Sequence, residues 1–338
     1  MVTAAIVVAY RRGFELLRQM PQGRRMTLIR LGPDALRASR FALSPLAETL
    51  SRLITLRCEI DGGRPGPQAR ALADWLDGDP FAAGLLRLVS ATKFLPDFVA
   101  IPPSSMTTRI DDELAQMRAV GDIAARATIA EARRFAWKSG SFAWADTDGV
   151  AACAAAVFAR GWQWFTEPDW PRRRAVMERD IRHRAGVLAA HGWRQAISGI
   201  GKIRWAGPDA IQFSTQTHAD LPVGDQGLVL VPHTGITGQW MCEAPPRFAL
   251  VYPARGALEQ VPVAAEGIAR LIGEGRARVL AALADPTTPS QLAVLLGVSL
   301  GTVSGHLATL RDAGAVVGRR SGRAVYYERT ALGDALSR

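Results

Sequence analysis

The sequence predicts an α+β protein in two parts: a mainly helical N-terminal domain with a small antiparallel sheet, then a C-terminal winged helix-turn-helix domain. Three observations carry this. Between residues 34 and 191 apolar residues recur at helical spacing, broken by Gly- and Pro-rich stretches. From 203 to 252 the pattern shifts to short β-branched and aromatic runs bounded by Gly, Pro or Asp. From 290 to 328 two short amphipathic helices, joined at a glycine, precede a basic hairpin.

The chain has 338 residues, enough for two cores, and 48% of them are hydrophobic, which excludes a disordered protein. No apolar run approaches the ~20 residues that a membrane span requires. The early run at 4–9 is too short for a secretory signal and lacks a preceding basic segment. Cys58, Cys153 and Cys242 are scattered and odd in number, against a disulfide framework. A cytoplasmic protein without membrane contact is expected.

Taken in order, residues 1–25 show no clear apolar period and hold five arginines against one glutamate, so a flexible basic extension is expected there. The folded domain then spans 26–262. A strand at 27–31 opens it, and Ser44-Pro45 starts a helix with proline at its first position and Glu48 in its first turn. Leu46, Leu50, Leu53 and Ile54 share one face of that helix. Further helices are expected at 68–77, 80–91, 107–119, 122–137 and 150–165, and another begins at Trp170-Pro171. Strands follow at 203–205, 211–215, 227–232, 238–242 and 247–252, with a linker over 253–262. Residues 263–338 form the last domain, entered by a helix over 266–284 that is interrupted at Gly273-Glu-Gly275.

In that domain Leu292, Ala293 and Leu296 face inward on a helix stopped by Gly297, which suits a left-handed turn. Ser299 can cap a second helix, 299–313, whose Val303, Leu307 and Leu310 make one apolar stripe. Its outer face is small and polar: Gly301, Thr302, Ser304, Gly305 and His306. Such a face can sit deep in a major groove about 12 Å wide. The hairpin at 315–328 carries Arg319, Arg320, Arg323 and Tyr326 towards a phosphate backbone, and Ser290 is a candidate helix cap against phosphate. Charge distribution agrees. Of a net +10, residues 267–338 hold nine arginines against five acidic residues, while the middle of the chain is nearly balanced.

Val298-Ser-x-x-Thr-Val-Ser-x-His-Leu-x-x-Leu-Arg311, followed by Gly322-Arg-x-Val-Tyr-Tyr327, resembles the DNA-binding domain of ArsR/SmtB-type repressors over about the last seventy residues. The resemblance implies a transcriptional regulator reading double-stranded DNA as a homodimer. Many such proteins bind metal through a cysteine pair on the first motif helix. Here that helix reads Gln291-Leu-Ala-Val-Leu-Leu296 and offers no such ligand, so no metal is expected. Leu28-Ile-Arg-Leu, Phe41-Ala-Leu-Ser-Pro-Leu, Leu95-Pro-Asp-Phe-Val, Asp169-Trp-Pro, Leu228-Val-Leu-Val-Pro232 and Leu250-Val-Tyr-Pro-Ala-Arg255 resemble a domain of unknown function placed ahead of ArsR-type heads in bacterial regulators. That domain brings no ligand with it.

Catalytic motifs are missing: no Gly-x-Ser-x-Gly, P-loop, His-Glu-x-x-His or dinucleotide fingerprint occurs, so neither an enzyme nor a cofactor is expected. Asp111-Asp-Glu113 reads as a helix N-terminal charge group. His233 and Cys242 lie on successive strands that can approach each other, but two ligands make no metal site. Tryptophans gather in the second half of the large domain. Trp162, Trp164, Trp170 and Trp240 are therefore candidates for a pocket holding a small organic effector, against the plainer reading of core packing. The expected protein is a DNA-binding regulator of repressor type whose large domain dimerises and senses an effector. The alternatives are a winged helix that docks a protein partner and an enzyme tethered to DNA.

Overall fold

The computed structural model describes residues 28–63, 65–138, 140–201, 203–213, 220–235, 238–255, 266–321 and 324–337. The expected basic extension and most of the linker lie outside these residues. The architecture is α+β, largely helical with small sheets and a C-terminal helix-turn-helix, as the sequence predicts.

The body is organised about α2 (Pro45–Asp61), which follows β1 (Leu28–Leu31), α1 (Pro33–Ala38) and β2 (Arg40–Phe41). Ser44 caps it by accepting from the Ala47 amide at 2.9 Å. Every residue from Pro45 to Leu56 apart from Arg52 is buried, so this part of the helix is enclosed on nearly every side. Around it pack α3 (Pro67–Gly78), α4 (Pro80–Val89), α5 (Ile110–Arg118), α6 (Asp122–Arg134) and α7 (Val150–Gly161). A π-turn at Trp162–Thr166 and a short turn at Glu167–Asp169 then lead into the long α8 (Trp170–Ile197). Near its end Gly192 takes φ +77°, a left-handed value that only glycine adopts freely, and the last turn folds back.

Among the described residues the strands of the body form two four-stranded sheets. One has the order β3 (Arg204–Trp205), β4 (Ala210–Gln212), β1, β5 (Leu221–Val223); the other runs β2, β6 (Leu228–His233), β8 (Arg247–Pro253), β7 (Trp240–Ala244). Pairing is mixed, where the sequence predicts antiparallel pairing throughout: β6 runs parallel to both β2 and β8, and β1 parallel to β5. The reason is that the β7–β8 hairpin inserts β8 between β6 and β7, so these two consecutive strands are not neighbours.

This second sheet is a partition. Val229, Val231, Ala249 and Val251 point into the helical core around α2. The alternate residues Leu228, Leu230, Leu250 and Tyr252 point into a smaller core with Ile29, Leu31, Ile197 and Ile211. A strand buried on both faces reads as an unbroken apolar run, and Leu228-Val-Leu-Val231 is one.

The C-terminal domain comprises α9 (Glu266–Ile272), α10 (Glu274–Ala282), α11 (Pro289–Leu296), α12 (Leu300–Asp312), β9 (Val316–Ser321), β10 (Ala324–Arg329) and α13 (Ala331–Ala335). It has its own core of Val279, Leu280, Leu283, Leu292, Leu296, Val303, Leu307 and Leu310. Among the described residues no single helix is long and apolar enough to cross a membrane.

Candidate nucleic-acid interface

Helices α11 and α12 meet at 115°, within the range of helix-turn-helix pairs. Gly297 makes the turn at φ +66°, which a side chain would strain. Ser299 caps α12, its hydroxyl accepting from the Thr302 amide at 3.1 Å and meeting the Thr302 hydroxyl at 2.8 Å. Helix α11 begins two residues earlier than a cap at Ser290 would place it. Thr288 is its cap, in a reciprocal capping box with Gln291, and Pro289 takes the first position. Ser290 is exposed in the first turn and is not the cap.

On α12 the stripe Val303, Leu307, Leu310 is buried, while Ser299, Gly301, Thr302, Ser304 and Gly305 are exposed in the full chain, uncovered by the large domain. His306 departs from this face. Its ring leans over α10, where a side chain on Gly275 would lie 2.5 Å from Nε2, so it seals α12 against its neighbour.

Gly301 and Gly305 are informative because nothing among the described residues requires them. Neither has positive φ, a Cβ at 301 would meet only the Ser299 hydroxyl at 3.8 Å, and one at 305 would meet nothing within 4 Å. Each costs a helix interior roughly 1 kcal/mol relative to alanine. The face is thus flat at two positions where the fold gains nothing from flatness.

In the hairpin, Arg319 opposes Tyr326 and Arg320 opposes Val325. Arg319 is exposed and ion-pairs with Glu328 on the next strand. Arg320 is also exposed. Arg323 lies outside the described residues. Backbone hydrogen bonds between Thr287 and Tyr327, 2.9 and 3.0 Å, fasten β10 to the segment that precedes α11.

A family model described as a helix-turn-helix domain matches residues 275–319, from the start of α10 into β9. The C-terminal segment is a helix-turn-helix domain. No curated protein matches the chain. No solved structure matches it either.

The helix-turn-helix domain is docked on the large domain through the cap of α11. Gln291 donates to Glu178 at 2.9 Å and accepts from Arg182 at 3.0 Å, both partners being on α8. The Arg182 guanidinium also stacks 5.5 Å from the centre of the Tyr326 ring, so Tyr326 faces α8. Burial lowers the Arg182 pKa, and the neighbouring Tyr326 and Glu178 oppose that fall. Asp285, between α10 and α11, lies 3.4 Å from His183 and 3.8 Å from Arg255. Sequence reasoning missed this seam. The signal available was the capping box Thr288-x-x-Gln291, because a capping side chain has a fixed direction.

The tryptophans do not form one group. Trp162 and Trp170 meet edge to face at 5.0 Å, Trp164 is 48% exposed beside Trp75, and Trp240 packs on His233 at 5.0 Å. Two cavities in the body, one beside the fold-back of α8 and one beside Trp137, are lined by none of the four.

His233 is fully buried and its Nδ1 is 2.8 Å from the Ser51 hydroxyl, not beside Cys242, because β8 separates β6 from β7. The Gly235 amide also donates to Nδ1 at 3.1 Å, while Nε2 lies 2.9 Å from the Gly238 carbonyl, which fixes a neutral ring protonated at Nε2. Burial lowers the His233 pKa, against the pull of Glu48. Glu48 is itself occupied: Arg173 donates to it at 2.7 Å and the Thr234 amide at 2.8 Å. Ser51 and His233 are thus a closed structural pair in the core.

Proposed function

We propose that the chain is a transcriptional repressor of ArsR type that reads double-stranded DNA as a homodimer in the cytoplasm. The observation that carries this is the solvent-open face of α12. Two glycines without an internal role there let a partner surface approach the backbone, with Ser299, Thr302 and Ser304 supplying hydroxyls to base edges or phosphates. Arg319 and Arg320, with Arg323, hold the flanking backbone from the hairpin. One such head spans only a few base pairs, and a second, one helical turn or about 34 Å away, supplies the remaining affinity. The match of a helix-turn-helix family model to 275–319 supports the same reading. Binding without catalysis is favoured because the pairing of Ser51 with His233 is sealed in the core, out of reach of a substrate.

The test is fluorescence anisotropy on the DNA upstream of the protein's own coding sequence, against scrambled DNA, at two salt concentrations. The expected result is tighter binding to its own DNA that persists at moderate salt. Weak, equal binding to both would overturn the reading and favour a winged helix that docks a protein partner.

A further inference from the structure

The fold-back of α8 at Gly192 creates a cavity of about 320 Å3 lined by His183, Arg184, Val187, Gln195, Ser198 and Arg255, among others. Its volume lies at the low end of the range of small-molecule sites. One wall is rigid. Arg184 is buried, donates to Asp180 at 2.9 Å and to the Ala196 carbonyl at 2.9 Å, and so ties the two limbs of the fold-back together. Asp180 in turn accepts from the Tyr252 hydroxyl at 2.7 Å and the Arg255 amide at 3.0 Å, which fixes the backbone of Arg255 at the rim.

The remaining cationic and polar groups are not used up in this way. The Arg255 guanidinium is about half exposed, and both it and His183 reach out of the cavity wall to one carboxylate, that of Asp285 in the helix-turn-helix domain. At 3.4 and 3.8 Å these pairs are longer than well-formed charge-assisted hydrogen bonds. Asp285 therefore acts as an internal carboxylate held loosely by two residues of the cavity wall.

We propose that this cavity binds a small organic acid, whose carboxylate displaces Asp285 from Arg255 and His183 while its carbon skeleton lies against Val187. Gln195 and Ser198 offer further polar groups to it. Binding and docking then compete for the same two side chains. An acid in the cavity loosens the helix-turn-helix domain from α8 and changes the separation of two heads in a dimer. That last consequence rests on the regulator reading; the binding itself does not.

The test is isothermal titration of the full chain with succinate, and in parallel with inorganic phosphate. Asp285→Asn, which keeps the shape but releases Arg255 and His183, is expected to bind succinate at least ~10-fold tighter than the unmodified protein, the gain that one charge-assisted hydrogen bond to the ligand would bring. Adding Arg255→Gln to that variant returns the affinity to the starting level or below. Ser198→Trp in the Asp285→Asn background fills the cavity without touching Asp285, Arg255 or His183, and is expected to abolish binding in a protein with an unchanged melting temperature. Equal succinate affinity in all variants, or none in any, overturns the proposal. So does a gain confined to phosphate, which would make this a phosphate site. DNA anisotropy on the same proteins separates the two readings. Loss of operator preference with the succinate series intact sinks only the regulator, and the reverse sinks only the cavity.

Discussion

The polar groups at the heart of the large domain and those on the outer face of α12 obey opposite rules. Around α2, Glu48, Ser51 and His233 are fully buried, and each is matched to named donors or acceptors inside the fold. Even a glycine is fixed there: a Cβ on Gly235 would fall 2.0 Å from the Ser51 hydroxyl. On α12 the serines and threonine are exposed, and Gly301 and Gly305 face open space. Polar groups closed upon themselves report on folding, whereas those left open at a cost in helix stability report on a partner.

The difference can be broken from either side. Glu48→Ala takes the closer of two carboxylates from the largely buried Arg173, leaving Asp169 at 3.5 Å, and leaves the Thr234 amide without its acceptor. It is expected to cost about 3 kcal/mol, read from urea unfolding. A change below about 1 kcal/mol would show that the core network is slack. The hairpin variant Arg319→Ala with Arg320→Ala should leave the melting temperature nearly unchanged. It should weaken operator binding and flatten the salt dependence by about 0.9 in log–log slope for each phosphate no longer neutralised.

Gly305→Ala sharpens the comparison most, because stability and function should move in opposite directions. Unfolding should become harder by up to ~1 kcal/mol while operator affinity falls. If affinity is unchanged, α12 does not seat its backbone against DNA.

The comparison can also be probed with pH, through two carboxyls of the body. Burial pushes the Glu113 carboxyl up to about 7, against hydrogen bonds from Ser44 and the Leu46 amide. Burial, with Asp97 nearby, pushes Glu243 up to about 7 as well. Both values exceed the unfolded value near ~4.3, so the folded chain keeps protons that the unfolded chain has lost. The stability these groups contribute is full below about pH 4 and declines as pH rises towards about 7. Urea unfolding at pH 5 and pH 8 should show the decline, and Glu113→Gln should flatten it.

Much of this was legible in the sequence. Helix α2, the turn at Gly297, the cap at Ser299 and the stripe on α12 follow from local rules that need only neighbouring residues. The sheet pairing was not, because consecutive β6 and β7 look like neighbours until β8 is placed between them. Tyr326 reads as a residue aimed at DNA, yet Arg182, over a hundred positions away, receives its ring. His306 shares the polarity of its face but is long enough to reach Gly275. Composition likewise groups the tryptophans that the fold disperses.

The amide of Gln291 explains a choice of letter. A capping box accepts glutamate as readily as glutamine. At 291 the side chain must also give a proton to Glu178 and take one from Arg182, which no carboxylate does at neutral pH. Relatives that dock their reading head in this way should therefore keep glutamine here, and those carrying glutamate should have lost the acid at 178. Covariation between these two columns would mark the coupled members of the lineage.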